Sequence, residues 1–222
     1  MVTLKMAIIF LMEQIRTPFS LIWTIMSPTV LFFFLHFNEI ELHYGDTAWL
    51  GKQISWFVGY ISFSVVLFNY CLYLVGRRES GFIATFVHNM DGRLLFIRSQ
   101  LIASLIMSIL YVFFFILVVL TGFQASPDYQ IVMIILKSIY INAFMMVSLT
   151  FMASFRVTFQ TASTIYSVLI TVCMVSGIVS LKYNEGIVYW INQVNPIAIY
   201  STILQSDQEL SLMTIFFYSI ML

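Results

Sequence analysis

Residues 94–123 read LLFIRSQLIASLIMSILYVFFFILVVLTGF, thirty residues in which Arg98 is the one charge. A helix on the surface of a water-soluble protein sets an apolar stripe against a charged face. Past Arg98 this run has no such face. A hydrocarbon core about 30 Å thick needs about 20 consecutive apolar residues in helical form, and the run exceeds that length. Four more stretches meet the same criterion: 19–37, 54–75, 131–155 and 157–181.

Two further apolar stretches behave differently. Residues 186–204 are interrupted by Asn192, Asn195 and Pro196, which predicts a re-entrant or interfacial hairpin, because irregular backbone survives at membrane depth only where protein covers it. The run 210–222 has 13 residues, about 20 Å at 1.5 Å each. It stops short of the far side, so the chain is expected to continue past Leu222 to complete a sixth span.

Composition agrees. Of 222 residues 61% are hydrophobic and 9% charged, with a mean hydropathy of +0.96, where a soluble domain carries about 25% charged residues. A net charge of +0 excludes nucleic acid as a partner, since phosphate binding needs Lys and Arg in surplus on one surface. Cys71 and Cys173 lie in apolar runs as small hydrophobes rather than as a disulfide. At the N-terminus, Lys5 precedes an apolar run, but Glu13 and Arg16 follow in place of a small-residue cleavage site. Residues 3–16 therefore read as part of the protein. Leu4, Ile8, Leu11 and Ile15 recur at helical spacing with Lys5, Glu13 and Arg16 off that line, which describes a helix in the cytoplasmic interface. A simple extension of the first span fits equally well.

Cytoplasmic loops are enriched in Lys and Arg. With the N-terminus inside, Lys5, Arg16, Arg77, Arg78, Arg93, Arg98 and Arg156 are cytoplasmic, against Lys52 and Lys182 outside, while Glu39, Glu41, Asp46, Asp128, Glu185, Asp207 and Glu209 face outward. The expected architecture is all-α: one membrane domain, residues 1–222, with six transmembrane helices, an N-terminal interfacial helix over 3–16 and a hairpin over about 186–204.

The cytoplasmic loop after the second span reads GRRESGFIATFVHNMDGR over residues 76–93. Phe82, Ile83 and Phe86 share a helical face, and Asp91-Gly92 reads as a closing turn. This predicts a short amphipathic helix over about 79–91, resting on lipid headgroups or docking a soluble partner.

Arg78-Glu79-Ser80-Gly81, Arg93 twelve residues further on, and Asn195-Pro196 followed by Tyr200 together resemble the permease subunits of ABC-2 type exporters. The likeness covers nearly the whole chain as a pattern of spans. Met90 stands where members commonly carry Pro. The resemblance implies that the loop is a coupling helix seated on a cytoplasmic ATPase through Glu79, Gly81, Phe82, Ile83, Phe86 and Arg93, and that residues 3–16 form the connecting helix. It further implies ATP and Mg bound by that ATPase with no cofactor in this chain, pairing with a second permease subunit as homo- or heterodimer, and a bacterial plasma membrane setting. The expected cargo is amphipathic or hydrophobic, peptide or drug-like.

The chain offers no motor of its own. The run from Gly45 to Gln53 imitates a phosphate loop but has five residues between its glycines and ends in Gln53, where the loop needs four and a hydroxyl for Mg²⁺. No full span holds an acidic residue that would serve as an ion relay. Lys137, inside the fourth span, either snorkels to the outer surface or lines the substrate route. His36, Glu39, Glu41, His43 and Asp46 are metal-ligand types at irregular spacing, so no metal site is expected. His88 has no nucleophile or carboxylate partner marked by a motif, and no enzymatic activity is expected. Ser99/Ala103, Ser104/Ser108 and Ser163/Ser167/Thr171 are spaced to allow close helix approach. The alternative from another class is a non-transporting membrane immunity or scaffold protein.

Overall fold

The computed structural model describes residues 2–16, 18–83, 90–151, 155–182 and 185–206, with side chains at 18–23 and 181–182 excepted. Every regular element among them is helical: α1 Val2–Ile15, α2 Pro18–Leu35, α3 Thr47–Glu79, α4 Met90–Gly122, α5 Tyr129–Leu149, α6 Phe159–Lys182, α7 Gly186–Val194 and α8 Pro196–Gln205. Helices α3, α4, α5 and α6 are long and apolar enough to cross a membrane, which fits a multi-pass membrane protein. In α2 the described apolar portion is shorter, Thr24–Leu35. The segment 210–222 lies outside the described residues.

α3 is the axis of the bundle. Of its most apolar window 78% is buried, against 28% for α6. Its start is fixed by Asp46, whose Oδ1 accepts the Trp49 N–H at 3.0 Å. The 33-residue helix begins before the span read from sequence, so the Gly45–Lys52 run is a helix start rather than a loop able to wrap a phosphate. Within it, Val65–Leu72 forms a π-helical turn before α-geometry resumes at Tyr73. The helix stops where Gly81 takes φ +73° and its N–H meets the Arg78 carbonyl at 3.1 Å, a left-handed position that a Cβ disfavours.

At one end of the bundle Phe32, buried completely, packs its ring against Phe57, Phe115 and Phe123 and so locks α2 to α3 and α4. The loops there meet where the Gly45 N–H bonds the Phe123 carbonyl at 3.1 Å. At the same end, α7 doubles back along α6 to Asn195. Its amide donates to the Cys173 carbonyl at 2.7 Å and to Ser176 Oγ at 3.1 Å, while its Oδ1 caps α8 at the Ile197 N–H. From Cys173 to Lys182 the helix rises about 14 Å, so the reversal sits near mid-depth of a membrane-sized layer. α8 then returns along α3 and ends where Gln205 donates to the Lys52 carbonyl at 3.1 Å. Residues 186–204 thus form two helices broken at Asn195-Pro196.

Of the amphipathic segment expected over about 79–91, Glu79 is the last residue of α3, Ser80 and Gly81 form a turn, Phe82 and Ile83 are helical, and Met90 and Asp91 belong to α4. Asp91 in the first turn of a helix favours its N-terminal dipole, which outweighs the turn tendency of Asp91-Gly92. Residues 84–89, including Phe86 and His88, lie outside the described residues. In α1, Ala7 and Phe10 are buried, whereas Leu4 and Ile8 are 58% and 50% exposed. Leu11 packs partly buried against the core as well, so one face of α1 meets α4 while Leu4 and Ile8 lie outward.

Candidate functional site

The arginine-rich end of the bundle is built around the last turn of α3. The Arg77 guanidinium pairs with Glu13 of α1, donates to the Tyr73 hydroxyl, and lies 4.9 Å from the Tyr73 ring centroid and 5.0 Å from that of Phe82. The Tyr73 hydroxyl also donates to Glu13. Arg78 reaches the other way, donating to the carbonyls of Phe155 and Val157 ahead of α6. The Glu79 carboxylate accepts the Phe159 N–H and so caps the start of α6. Three consecutive charged residues therefore tie α1, α3 and α6 together at one point. Helical geometry explains why: residues i and i+4, Tyr73 and Arg77, share a face, and the next two positions turn by about 100° each toward other neighbours.

The expected docking residues divide between this junction and the surface. Glu79 is exposed yet engaged with α6. Gly81 acts through its backbone conformation. Phe82 packs on Phe96 with ring centroids 5.8 Å apart, and both Phe82 and Ile83 are partly buried against the bundle. They are shared with their own fold rather than projecting freely. Arg93 is exposed on the first turn of α4.

A second constellation lies inside the apolar core. Asn142 of α5 donates through Nδ2 to Ser62 of α3 at 3.2 Å and to Ser108 of α4, and its Oδ1 accepts the Tyr200 hydroxyl of α8. All four residues are buried. One neutral amide thus joins four helices where charge would be costly. Nearer the arginine-rich end, Gln100 Nε2 and Ser104 Oγ donate to the Asn69 carbonyl at 2.9 and 3.0 Å, and the Tyr70 hydroxyl bonds Thr150 at 2.7 Å. Lys137 belongs to neither group. Its ammonium donates to the carbonyls of Leu204 and Ser206, a cation on the C-terminus of α8 where the helix dipole favours it.

Sequence reading found Tyr200, Asn195 and the serine pairs Ser99/Ala103 and Ser104/Ser108, all buried at helix contacts. It missed Asn142, Gln100 and Asn69, which are single polar residues in apolar runs. It also missed the engagement of Glu13 with Arg77. Ser167 and Thr171 of the third small-residue series are exposed and bond back to their own helix. No group of three or more His, Cys, Asp or Glu able to hold a metal occurs among the described residues. Cys71 and Cys173 are buried and free.

No protein-family model and no solved structure matches the chain. The class so defined is a helical, multi-pass membrane-like protein, with four helices of membrane-crossing length and apolarity among the described residues.

Proposed function

We propose that this chain is the permease subunit of an ATP-driven exporter, six-spanning in the bacterial plasma membrane with its N-terminus in the cytoplasm, paired with a second permease subunit. It moves an amphipathic or hydrophobic cargo outward. One observation carries the reading: Arg77, Arg78 and Glu79 fasten α1, α3 and α6 together beside the segment about 79–93. A force applied to that segment by a docked ATPase has a stiff route into three helices at once. A lipid-resting loop has no need of such a junction.

In this reading the partner binds ATP and Mg, and the present chain supplies the receiving surface. Arg93 gives orientation through charge at an exposed rim, while Phe82, Ile83 and Phe86 contribute apolar area, the usual division at an interface. Because Phe82 also supports the junction, the discriminating substitution is Arg93→Glu. The purified chain is expected to hydrolyse no ATP. A P-loop ATPase, identified by its ATP turnover, is expected to co-purify with it and to bind the Arg93→Glu form about tenfold more weakly. Changing Phe113 and Phe114, both 49% exposed on α4, to Ser should leave that association intact. Unaltered association in the Arg93→Glu chain would sink the docking assignment. Orientation has its own check: single cysteines at Asp46, Asp128 and Glu185 should react with an impermeant thiol reagent in intact cells, and those at Asp91 and Arg156 should not.

A further inference from the structure

The π-helical turn of α3 and the side chains against it form a site that none of the foregoing uses. A π-turn widens the helix, shifts its hydrogen-bond ladder and recurs at functional positions. Here the Asn69 carbonyl points at α4 and accepts two side-chain donors, Gln100 Nε2 at 2.9 Å and Ser104 Oγ at 3.0 Å. A carbonyl only accepts, so the Gln100 amide must turn its NH₂ toward Asn69, and reversal would set two acceptors face to face. Gln100 Oε1 is thereby committed to the opposite side. There it has no hydrogen-bond partner among the described residues, although Gln100 is 0% exposed. The Asn69 side chain, half-buried, extends from the same turn to the Tyr111 hydroxyl at 3.5 Å.

An acceptor shut away from bulk water with no donor is the commonest mark of a buried water, which settles where two or more polar groups converge. Gln100 Oε1 supplies one such group, and the backbone carbonyls of the adjacent π-turn supply others when its ladder opens. Helices in turn bend at π-turns and where a water enters the ladder. The two sides of this turn are held differently. Toward the hairpin, α3 is fixed by Ser62 at the Asn142 node and by the contact of Gly59 with α8, where an added Cβ would lie 3.1 Å from the Ile197 carbonyl and from Tyr200 Cβ. Toward the other side stands Tyr73–Glu79 with its junction to α1 and α6.

We propose that Gln100 Oε1, buried beside the π-turn, accepts from one bound water molecule, making the π-turn a hydrated bending joint between the fixed outer part of α3 and its arginine-bearing end. Extra conformers at a joint need a partner for each carbonyl released from the ladder, and hydrocarbon offers none. A resident water supplies it. The joint requires no ATPase and stands or falls apart from the exporter reading.

Two measurements on the full chain in lipid nanodiscs test it. A structure at a resolution that shows buried waters should place one within hydrogen-bond distance of Gln100 Oε1. An apolar contact there with no water density overturns the site. In hydrogen exchange, amides of residues 65–72 should exchange about tenfold faster than those of 55–62 in the same helix, and Gln100→Leu, which removes the acceptor, should erase most of that difference. Gln100→Glu, whose protonated carboxyl keeps both a donor for Asn69 and an acceptor for water, should preserve it, which separates loss of the site from loss of the fold. Equal exchange of the two segments in the unaltered chain, or the same contrast in Gln100→Leu, overturns the joint.

Discussion

The last turns and the middle of α3 are fastened to their neighbours by opposite chemistry. At Tyr73–Glu79 the bonds are ionic or charge-assisted and partly open to solvent, with the Glu13 and Arg77 side chains 48% and 23% exposed. From Gly59 to Ser62 the fastening is neutral and closed: a glycine that admits α8, and the Asn142 amide that gathers Ser62, Ser108 and Tyr200. Charge suits the end where water screens it. Inside an apolar layer the same ions would need desolvation of several kcal/mol each. The difference teaches that the exposed end of the helix is held by bonds that salt weakens, and its buried middle by close packing and neutral hydrogen bonds.

The sharpest way to break this contrast is Gly59→Leu. Its side chain has to displace the α8 backbone, an overpacking expected to cost about 2–3 kcal/mol, read as a lower midpoint in detergent-denaturant unfolding. A shift under about 0.5 kcal/mol would show that the hairpin gives way freely. Next comes Asn142→Leu, expected to cost about 1–2 kcal/mol by stranding the hydroxyls that converged on it. A double-mutant cycle with Tyr200→Phe should show coupling between the two, and strict additivity would remove Tyr200 from the node.

At the last turns the effects are smaller. Gly81→Ala forces a Cβ into the left-handed region at about 1 kcal/mol, with nothing within 4 Å to add a clash, so Gly81→Asn should recover part of the loss. Glu13→Gln is expected to cost under about 1 kcal/mol. That cost should fade in about 1 M salt, where screening extends only about 3 Å. Persistence of the full effect at high salt would mean that Glu13 acts through packing instead.

The smallest effect concerns pH. The Asp46 carboxylate is held below its ordinary value, first by the Trp49 N–H and then by His43. A depressed carboxyl contributes stability that is complete above its unfolded value and is lost as pH falls through the folded one. Amides in the first turn of α3 should therefore exchange faster only below about pH 4. An onset near neutrality would show that Asp46 is not the group responsible.

Much of the architecture is legible in the chain itself. Long charge-poor runs fix where α3, α4, α5 and α6 lie, because a span needs length and apolarity whatever it packs against, and Asn195-Pro196 marks the break in the hairpin for the same local reason. The last turn of α3 shows the limit: Arg77, Arg78 and Glu79 read as loop charges, yet they lie on a helix whose end is set by Gly81 and whose partners come from more than sixty residues away in the chain. Lys137 likewise gave two readings from sequence, a snorkelling cation or a pathway residue, and its place at the C-terminus of α8 emerged only when residues 137 and 204 met.

Sequence alone determined that the chain is helical and apolar enough for a membrane, because hydropathy and breaker residues act locally. Only tertiary structure decided which polar atoms meet. Asn142, Gln100 and Asn69 are single polar residues inside apolar runs, with no periodicity to announce a partner. Their roles arise because four helices converge on one amide and because a π-turn, invisible in composition, turns a single carbonyl toward the neighbouring helix.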